Sequence, residues 1–185
     1  MSDVVSIRHW PDRLEAMIER IGTPLVQGRV MATCGSTQDA AKAMGLGSVV
    51  VAGRQTAGRG QRGNQWIDTG EAGLAFSVVL PATTQPERSR AVASGIAVAL
   101  GDVLPRRLRV KAPNDVLLDG RKLAGVLIEQ SDGIAVIGVG INVGSIDWPV
   151  ELEGQAISLH EAGVEIDRIE VLEKVVPMVV DAWQP

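Results

Sequence analysis

Two Asp-Gly dipeptides, Asp119-Gly120 and Asp132-Gly133, constrain the fold of this 185-residue chain more than any other feature. Each lies between two apolar runs, and Asp-Gly is a favoured pair for a tight turn that brings the next strand back beside the previous one. Residues 116–118, 122–130 and 134–143 are therefore predicted to form three consecutive antiparallel strands.

The spacing of apolar residues predicts the rest of the framework. Helical spacing indicates four helices, and short apolar runs bounded by Gly, Pro or polar residues indicate four further strands. We therefore expect one α+β domain spanning residues 1–185, with helices covering a mixed, largely antiparallel sheet. The predicted helices are residues 10–21, 38–44, 86–103 and 169–183, and the further strands are residues 25–33, 48–54, 74–80 and 108–111.

Charge and cysteine content argue against several classes of protein. The net charge of −4 argues against a nucleic-acid surface, so we expect no DNA partner. Cys34 is the single cysteine and has no internal disulfide partner, which fits a reducing cytoplasm. Residues 1–10 lack the apolar segment of a signal peptide, and no apolar run approaches membrane-spanning length. These features predict a soluble cytoplasmic protein without a membrane partner.

Residues 54–66 form a loop that is unusually rich in glycine and arginine. Glycine lets the backbone approach a ligand closely, and arginine supplies planar donors for carboxylate or phosphate. This composition suits an anion with a flat or apolar body, although a flexible surface loop remains the alternative. The residues concerned are Arg54, Gly58, Arg59, Gly60, Arg62, Gly63 and Trp66.

The same loop matches the dinucleotide fingerprint G-x-G-x-x-G by its letters alone. That fingerprint requires a helix to open at the third glycine inside a strand-helix-strand unit. Gly63 is instead followed by residues 64–73, which contain two more glycines and no helical period. The loop therefore predicts a different kind of ligand site.

Polar residues cluster at four places near strand ends or on strand faces. Helix capping explains Ser36 and Thr37 as well as ligand binding does, and a solvated hairpin lysine is the ordinary interpretation of Lys122. The clusters are Ser36-Thr37-Gln38, the loop at residues 55–66, Lys111 with Asn114 and Asp115, and Lys122 with Gly138, Gly140 and Asn142.

These motifs, in this order and spacing, resemble the biotin protein ligases. The resemblance runs from about residue 25 to the last helix. It rests on Ser36-Thr37, Gln55-Thr56-Ala57-Gly58-Arg59-Gly60, Lys111-x-Pro113-Asn114-Asp115, the run from Gly120 through Lys122-Leu123-Ala124-Gly125 to Glu129, Gly138-x-Gly140-Ile141-Asn142, and Ala156-Ile157-Ser158-Leu159.

The resemblance implies a fold like that of the class II aminoacyl-tRNA synthetases and biotin ligases, and a definite reaction. Such enzymes use ATP and Mg²⁺ to convert biotin to biotinyl-5′-adenylate, and then transfer biotin to a lysine of a carboxyl carrier protein. Neither step requires a nucleophilic side chain. The sequence leaves open whether the protein forms a homodimer through exposed sheet edges.

The resemblance also implies roles for individual residues. Lys122, Arg59, Lys111 and Asp115 would be catalytic, with Lys122 between the biotin carboxylate and the α-phosphate. Ser36, Thr37 and Gln55 would bind the biotin head group, and the loop at residues 58–63 would fold over the adenylate. The other implied substrate-binding residues are Gln38, Gly58, Gly60, Gln61, Arg62, Gly63, Trp66, Asn114, Gly125, Gly138, Gly140 and Asn142; no metal ligand is assigned.

The chain departs from the family pattern at several positions. Gln61 and Asn64 stand where arginine is usual, Ala112 replaces a tryptophan, and Gln38 replaces an asparagine. Losing a charge-assisted contact at position 61 costs about 1.5–3 kcal/mol, so we expect weaker retention of the adenylate. These departures keep two alternatives open: a non-catalytic relative that binds biotin or its adenylate, and a ligase or transferase for lipoate or octanoate.

Overall fold

The computed structural model describes residues 7–104 and 106–184. Four helices and seven strands make up the framework. The helices are α1 (Trp10–Ile21), α2 (Thr37–Met44), α3 (Arg88–Gly101) and α4 (Arg168–Trp183), and the strands are β1 (Gln27–Cys34), β2 (Ser48–Gln55), β3 (Gly73–Pro81), β4 (Leu108–Lys111), β5 (Asp115–Leu118), β6 (Arg121–Ser131) and β7 (Ile134–Asn142).

The strands form one sheet in the order β1-β2-β3-β7-β6-β5-β4. Strands β1 and β2 pair in parallel, and every other neighbouring pair described is antiparallel. Both predicted hairpins are present, and each Asp-Gly turn has two left-handed residues: φ is 52° and 79° at Asp119 and Gly120, and 53° and 77° at Asp132 and Gly133. This is the conformation that a two-residue type I′ turn requires. The predicted largely antiparallel α+β sheet is therefore confirmed.

The two faces of the sheet are covered unequally. Helices α1, α3 and α4 bury the main hydrophobic core on one face, where residues such as Phe76, Ile96 and Leu172 are fully buried. The opposite face carries α2, which packs Ala41 against Val50 and Val79 in a much smaller cluster. The candidate site lies on that face beside α2, where residues of α2, β6 and β7 line the first of two cavities.

The predicted elements are all present; the ends of the first strand and the third helix differ from the prediction by up to two residues, and the other ends agree to within one residue. The first strand begins at Gln27 instead of residue 25. The amides of Leu25 and Val26 donate to the carbonyls of Gly22 and Gly47, at 2.9 and 2.8 Å, and both of these acceptors lie outside the strands. The third helix spans Arg88–Gly101, within the predicted 86–103. Across residues 7–104 and 106–184, none of the helices combines the length and apolar character needed to cross a bilayer.

Candidate active site

Two adjoining cavities lie on this face of the sheet, and Trp66 and Lys122 line both of them. The first has a volume of about 40 Å³ and the second about 420 Å³. The first is lined by Ser36, Thr37, Gln38, Gln55, Arg59, Gly60, Gln61, Asn114, Gly125, Gly138 and Gly140, and the second by Lys111, Asp115, Asn142, Trp148 and Gln155, among others. The fold thus brings together most of the predicted site residues, which are far apart in sequence.

The polar wall of the first cavity is a buried hydrogen-bond network at the start of α2. Ser36 is the N-cap of this helix, since its hydroxyl accepts a hydrogen bond from the Gln38 amide at 3.3 Å. The Thr37 amide donates to Oε1 of Gln55 at 2.8 Å, and its hydroxyl lies 2.8 Å from that of Ser77. Capping and lining the cavity are therefore compatible for Ser36 and Thr37.

The hydroxyl of Ser77 completes this network, although Ser77 was not among the residues predicted from the sequence. Ser77 is fully buried in β3, directly opposite Gly138 of β7. The sequence feature that could have indicated Ser77 is its hydroxyl group, which lies within an otherwise apolar strand. A buried hydroxyl needs a hydrogen-bond partner, but the partner on α2 is 40 positions away.

Gln38 places a buried acceptor at the first cavity. The residue is only 4% exposed, and its Nε2 donates to the Leu127 carbonyl at 3.4 Å. Its Oε1 has no hydrogen-bond partner among the described residues. The side chain lies over Gly138, where an added Cβ would come within 3.0 Å of Cδ of Gln38. An unpaired buried acceptor is costly, so a ligand that donates a hydrogen bond here is favoured.

Two glycines make room for the indole that separates the cavities. A Cβ at Gly140 would lie 2.3 Å from Cε2 of Trp66, and one at Gly125 would lie 3.2 Å from Cζ3 of the same ring. Gly140 and Gly125 are paired neighbours on β7 and β6. Only glycine permits this close approach, so the indole rests directly on the sheet backbone.

Lys122 is held at the junction of the two cavities. Its Nζ lies 2.8 Å from Oδ1 of Asp115 and 5.6 Å from the centroid of the Trp66 ring. Its backbone amide donates to the Gln155 carbonyl at 2.8 Å, and its own carbonyl accepts from Nδ2 of Asn142 at 3.1 Å. The ammonium of Lys122 thus lies against a carboxylate and an indole, which differs from a lysine fully solvated on a hairpin.

The two asparagines of the site use their amide groups to organise the backbone. Asn114 Nδ2 donates to the Val126 carbonyl at 2.9 Å, and Asn142 Nδ2 also donates to the Ile157 carbonyl at 3.2 Å. These contacts fix the segments that carry Lys122 and the wall of the second cavity.

Arg59 lines the first cavity, but its guanidinium is already paired. It makes two hydrogen bonds to Asp39 of α2, at 2.8 and 2.9 Å, and a third to Glu129 of β6 at 2.9 Å. The hydrogen bonds to Asp39 are the main reason why the pKa of Arg59 is raised, and the same contact lowers the pKa of Asp39. Both charges are therefore retained at neutral pH. Asp39 and Glu129 were not predicted from the sequence, because carboxylates on a helix and a strand are usually solvated.

Three predicted residues of the loop lie away from the cavity linings. Arg62 is exposed and has a left-handed φ of 57°, followed by Gly63 at 80°. Gly58 lies beside Trp66, at the other end of the loop. Its carbonyl accepts a hydrogen bond from the Trp66 amide at 3.0 Å, and a Cβ added at Gly58 would lie 2.7 Å from the Trp66 carbonyl oxygen. These positions shape the loop, and their contact with a ligand stays a prediction.

No cluster suited to holding a metal by itself occurs in the part of the chain that the structure describes. Residues 7–104 and 106–184 contain no group of three or more His, Cys, Asp or Glu side chains placed for a shared ion.

Comparison with known proteins points to one family. The family model described as biotin/lipoate A/B protein ligase family matches residues 33–145. A biotin–[acetyl-CoA-carboxylase] ligase of Mycobacterium tuberculosis is 39% identical over 126 residues, which are 64% of this chain and 47% of that protein. The bifunctional ligase/repressor BirA of Bacillus spizizenii is 34% identical over 141 residues, 70% of this chain and 43% of the relative. The chain spans less than half the length of these two relatives.

A solved structure shares the fold over most of the chain. The biotin protein ligase from Aquifex aeolicus, in complex with biotin and ATP, superposes with a TM-score of 0.76 and 32% sequence identity. The match covers 88% of this chain and 71% of that one. The predicted likeness to the biotin ligase fold is therefore confirmed.

Proposed function

Because the chain belongs to the biotin/lipoate A/B protein ligase family, we propose that it is an ATP-dependent biotin–protein ligase. It would form biotinyl-5′-adenylate and transfer biotin to a lysine of a carboxyl carrier protein, with residues 1–185 acting as one catalytic domain. The observation that carries this proposal is the meeting of two cavities at Lys122 and Trp66. One cavity would take the acyl group and the other the nucleotide, so the reacting carboxylate and α-phosphate would meet beside the ammonium.

Lys122 would stabilise charge during adenylate formation. A carboxylate oxygen of biotin attacks the α-phosphorus of ATP, the bond to the bridging oxygen of the β-phosphate breaks, and pyrophosphate leaves. Negative charge on the phosphoryl oxygens is redistributed in that transition state, and a fixed ammonium stabilises it. The ion pair with Asp115 at 2.8 Å and the indole of Trp66 would keep the ammonium in place before substrates arrive.

Lys111 and Asp115 would serve the phosphates at the second cavity. Both side chains line it, and Asp115 is the one carboxylate in its lining of described residues. One carboxylate together with substrate phosphates is a usual ligand set for Mg²⁺, so the residues present fit this ion. Bound Mg²⁺ would neutralise charge on the phosphates, while Lys111 would supply a further cation.

Biotin transfer would need no protein nucleophile. The amine of the acceptor lysine attacks the acyl carbonyl, the bond to the phosphate oxygen breaks, and AMP leaves. Asp115 would orient this amine or accept its proton. Cys34 is poorly suited to a covalent role because burial raises the pKa of its thiol, which keeps the less reactive protonated form.

The unpaired acceptor of Gln38 favours biotin over the other acyl groups. The ureido ring of biotin has N–H donors that could pair with Oε1 of Gln38 and with the network of Thr37 and Gln55. Lipoyl and octanoyl groups have no such donor and would leave the acceptor unpaired. A site built around hydrogen bonds discriminates strongly against ligands that cannot make them.

Calorimetric titration with biotin, followed by ATP and Mg²⁺ with measurement of pyrophosphate, tests the proposal. We expect biotin to bind, pyrophosphate to appear only when biotin is present, and a carboxyl carrier domain to gain the mass of one biotinyl group. Biotin binding without pyrophosphate would instead support the non-catalytic relative. Binding of lipoate or octanoate without biotin binding would support the other ligase class and refute ours.

Three statements about partners remain predictions. The specific carrier protein has to be found by testing carrier domains as acceptors. We expect no DNA binding, which the net charge of −4 supports and a gel-shift assay with DNA tests. A homodimer formed through exposed sheet edges is tested by sedimentation with and without biotin and ATP.

A further inference from the structure

Strand β4 carries two exposed cations on the face of the sheet that holds the candidate site. This strand is the last in the seven-stranded order, so one of its edges is free. Burial alternates along it: Leu108 and Val110 pack against the main core, whereas Arg109 and Lys111 are exposed. Because successive side chains of a strand point to opposite faces, Arg109 and Lys111 lie on the face turned away from that core.

The register of the sheet aligns Arg109 with Lys122. Arg109 pairs with Leu117 of β5, and Leu117 in turn pairs with Lys122 of β6. Directly paired residues share a face of the sheet, and two strand spacings separate the backbones of Arg109 and Lys122 by about 10 Å. Leu117 and Lys122 both line the second cavity. Arg109 therefore lies next to the lining of this cavity, at the free edge of the sheet.

The charges of Arg109 and Lys111 are available to an anion. Neither side chain forms an ion pair within residues 7–104 and 106–184. Asp115 is opposite Lys111 in the ladder, but its carboxylate pairs with Lys122 instead. Several other arginines near the site are neutralised by carboxylates: Arg54 by Asp68, Arg59 by Asp39 and Glu129, Arg106 by Asp119, and Arg121 by Glu161.

Cations on a free edge also have a purely structural explanation. Charged side chains on an edge strand keep strands of other molecules from pairing there. That explanation accounts for charge at the edge of the sheet, but it does not require the charge to lie beside a cavity. Lys111 lines the second cavity, and Arg109 is in register with the lysine at the junction of both cavities. The position of the two cations therefore favours a ligand.

We propose that Arg109 is a further substrate-binding residue, which together with Lys111 binds the β- and γ-phosphates of ATP. With the α-phosphate beside Lys122, the terminal phosphates extend along the wall of the second cavity towards β4. These two phosphates leave as pyrophosphate when the bond between the α-phosphorus and the bridging oxygen breaks. The planar guanidinium binds two phosphate oxygens at once and stabilises the charge that develops on the leaving group. The identity of the anion as ATP rests on the proposed function, whereas an anion site at Arg109 does not.

Calorimetric titration with inorganic pyrophosphate tests the site in the absence of biotin. The variant is Arg109→Gln, and the matched control is Arg29→Gln, which removes an exposed arginine from β1 at the opposite edge of the sheet. We expect Arg109→Gln to bind pyrophosphate about three- to tenfold more weakly, because one charge-assisted pair at an exposed position is lost. Arg109→Lys keeps the charge and loses the fork, so its affinity should lie between the two. The control should match wild type.

Nucleotides with and without terminal phosphates locate the contact along the phosphate chain. Arg109→Gln should weaken the binding of ATP by a similar factor and leave the affinity for AMP unchanged, because AMP has only the α-phosphate. In steady-state measurements of pyrophosphate release, the KM for ATP should rise in this variant while the KM for biotin stays the same.

Three results would overturn the proposal. Unchanged pyrophosphate affinity in Arg109→Gln would do so, and self-association of that variant in sedimentation would then assign the cation to protection of the edge. An equal loss in Arg29→Gln would reduce the effect to net charge. A loss confined to the KM for a carrier protein would make β4 a docking surface for an acidic partner.

The anion site and the proposed function fail in different ways. If biotin does not bind, the proposed function is refuted, while weaker pyrophosphate binding in Arg109→Gln still supports the anion site. If biotin-dependent pyrophosphate release has the same kinetics in wild type and in Arg109→Gln, the proposed function stands and Arg109 has no part in it.

Discussion

Gly140→Ala should impair the site while leaving the fold intact. The new Cβ would lie 2.3 Å from Cε2 and 2.4 Å from Cζ2 of Trp66. Non-bonded carbons prefer about 3.5–4.0 Å, so the indole would have to move by roughly 1 Å or more. That movement would separate the ring from Gly125 and from the Lys122 ammonium, which it contacts at the junction of the cavities.

The magnitude follows from where the strain is relieved. Inserting a methyl group into a well-packed contact typically costs about 1–3 kcal/mol. Trp66 belongs to the glycine-rich loop at residues 54–66, so this loop can shift and the cost should fall on ligand binding at the cavities. We therefore expect kcat/KM for biotin-dependent pyrophosphate release to fall by about five- to 150-fold, which is the same free energy expressed as a ratio. The melting temperature should change little.

Two comparisons make this prediction specific. Gly101→Ala at the end of α3 adds the same methyl group where nothing lies within 4 Å, so its kinetics should match wild type. In a Trp66→Ala background, Gly140→Ala should cause little further loss, because the clashing ring is gone. Wild-type kinetics in a folded Gly140→Ala protein would refute the reasoning, and so would an undiminished loss in the Trp66→Ala background.

Three further predictions concern charge. Lys122→Gln should reduce the rate of pyrophosphate release by about 10²–10³-fold, while the affinity for biotin changes far less. Measuring the release rate and, by calorimetry, the biotin affinity checks this. An equal loss of rate and affinity would contradict it. Gln61→Arg should slow the dissociation of the adenylate about tenfold or more, because it restores a charge-assisted contact at the first cavity. The fraction of adenylate that stays bound after rapid gel filtration measures this. An unchanged fraction would contradict the prediction. The pKa of Asp39 is lowered by its hydrogen bonds to Arg59, so the contribution of this pair to the free energy of unfolding is present at neutral pH and is lost only as the pH falls through that lowered pKa. The difference in melting temperature between wild type and Asp39→Asn should therefore be constant from pH 6 to 8 and shrink only in acid, and a change near neutrality would contradict this.

Local sequence determined the secondary structure of this protein well. The left-handed turns at Asp119-Gly120 and Asp132-Gly133 depend on residues within the turn, and the helix Trp10–Ile21 follows from apolar spacing and the Gly22 stop. The motifs also identified residues that the fold brings together, such as Thr37, Gln55 and Lys122. Turn chemistry and apolar periodicity are short-range properties, so the sequence contains them explicitly.

Tertiary structure alone decided which side chains meet at the site. Asp39, Arg59 and Glu129 meet because β2 and β6 occupy particular places in a seven-stranded sheet and α2 lies on the same face as the glycine-rich loop. Ser77 joins the site because β3 lies between β2 and β7. Contacts of this kind depend on strand order and register, which are set by burial of the whole core, and no local pattern in the sequence specifies them.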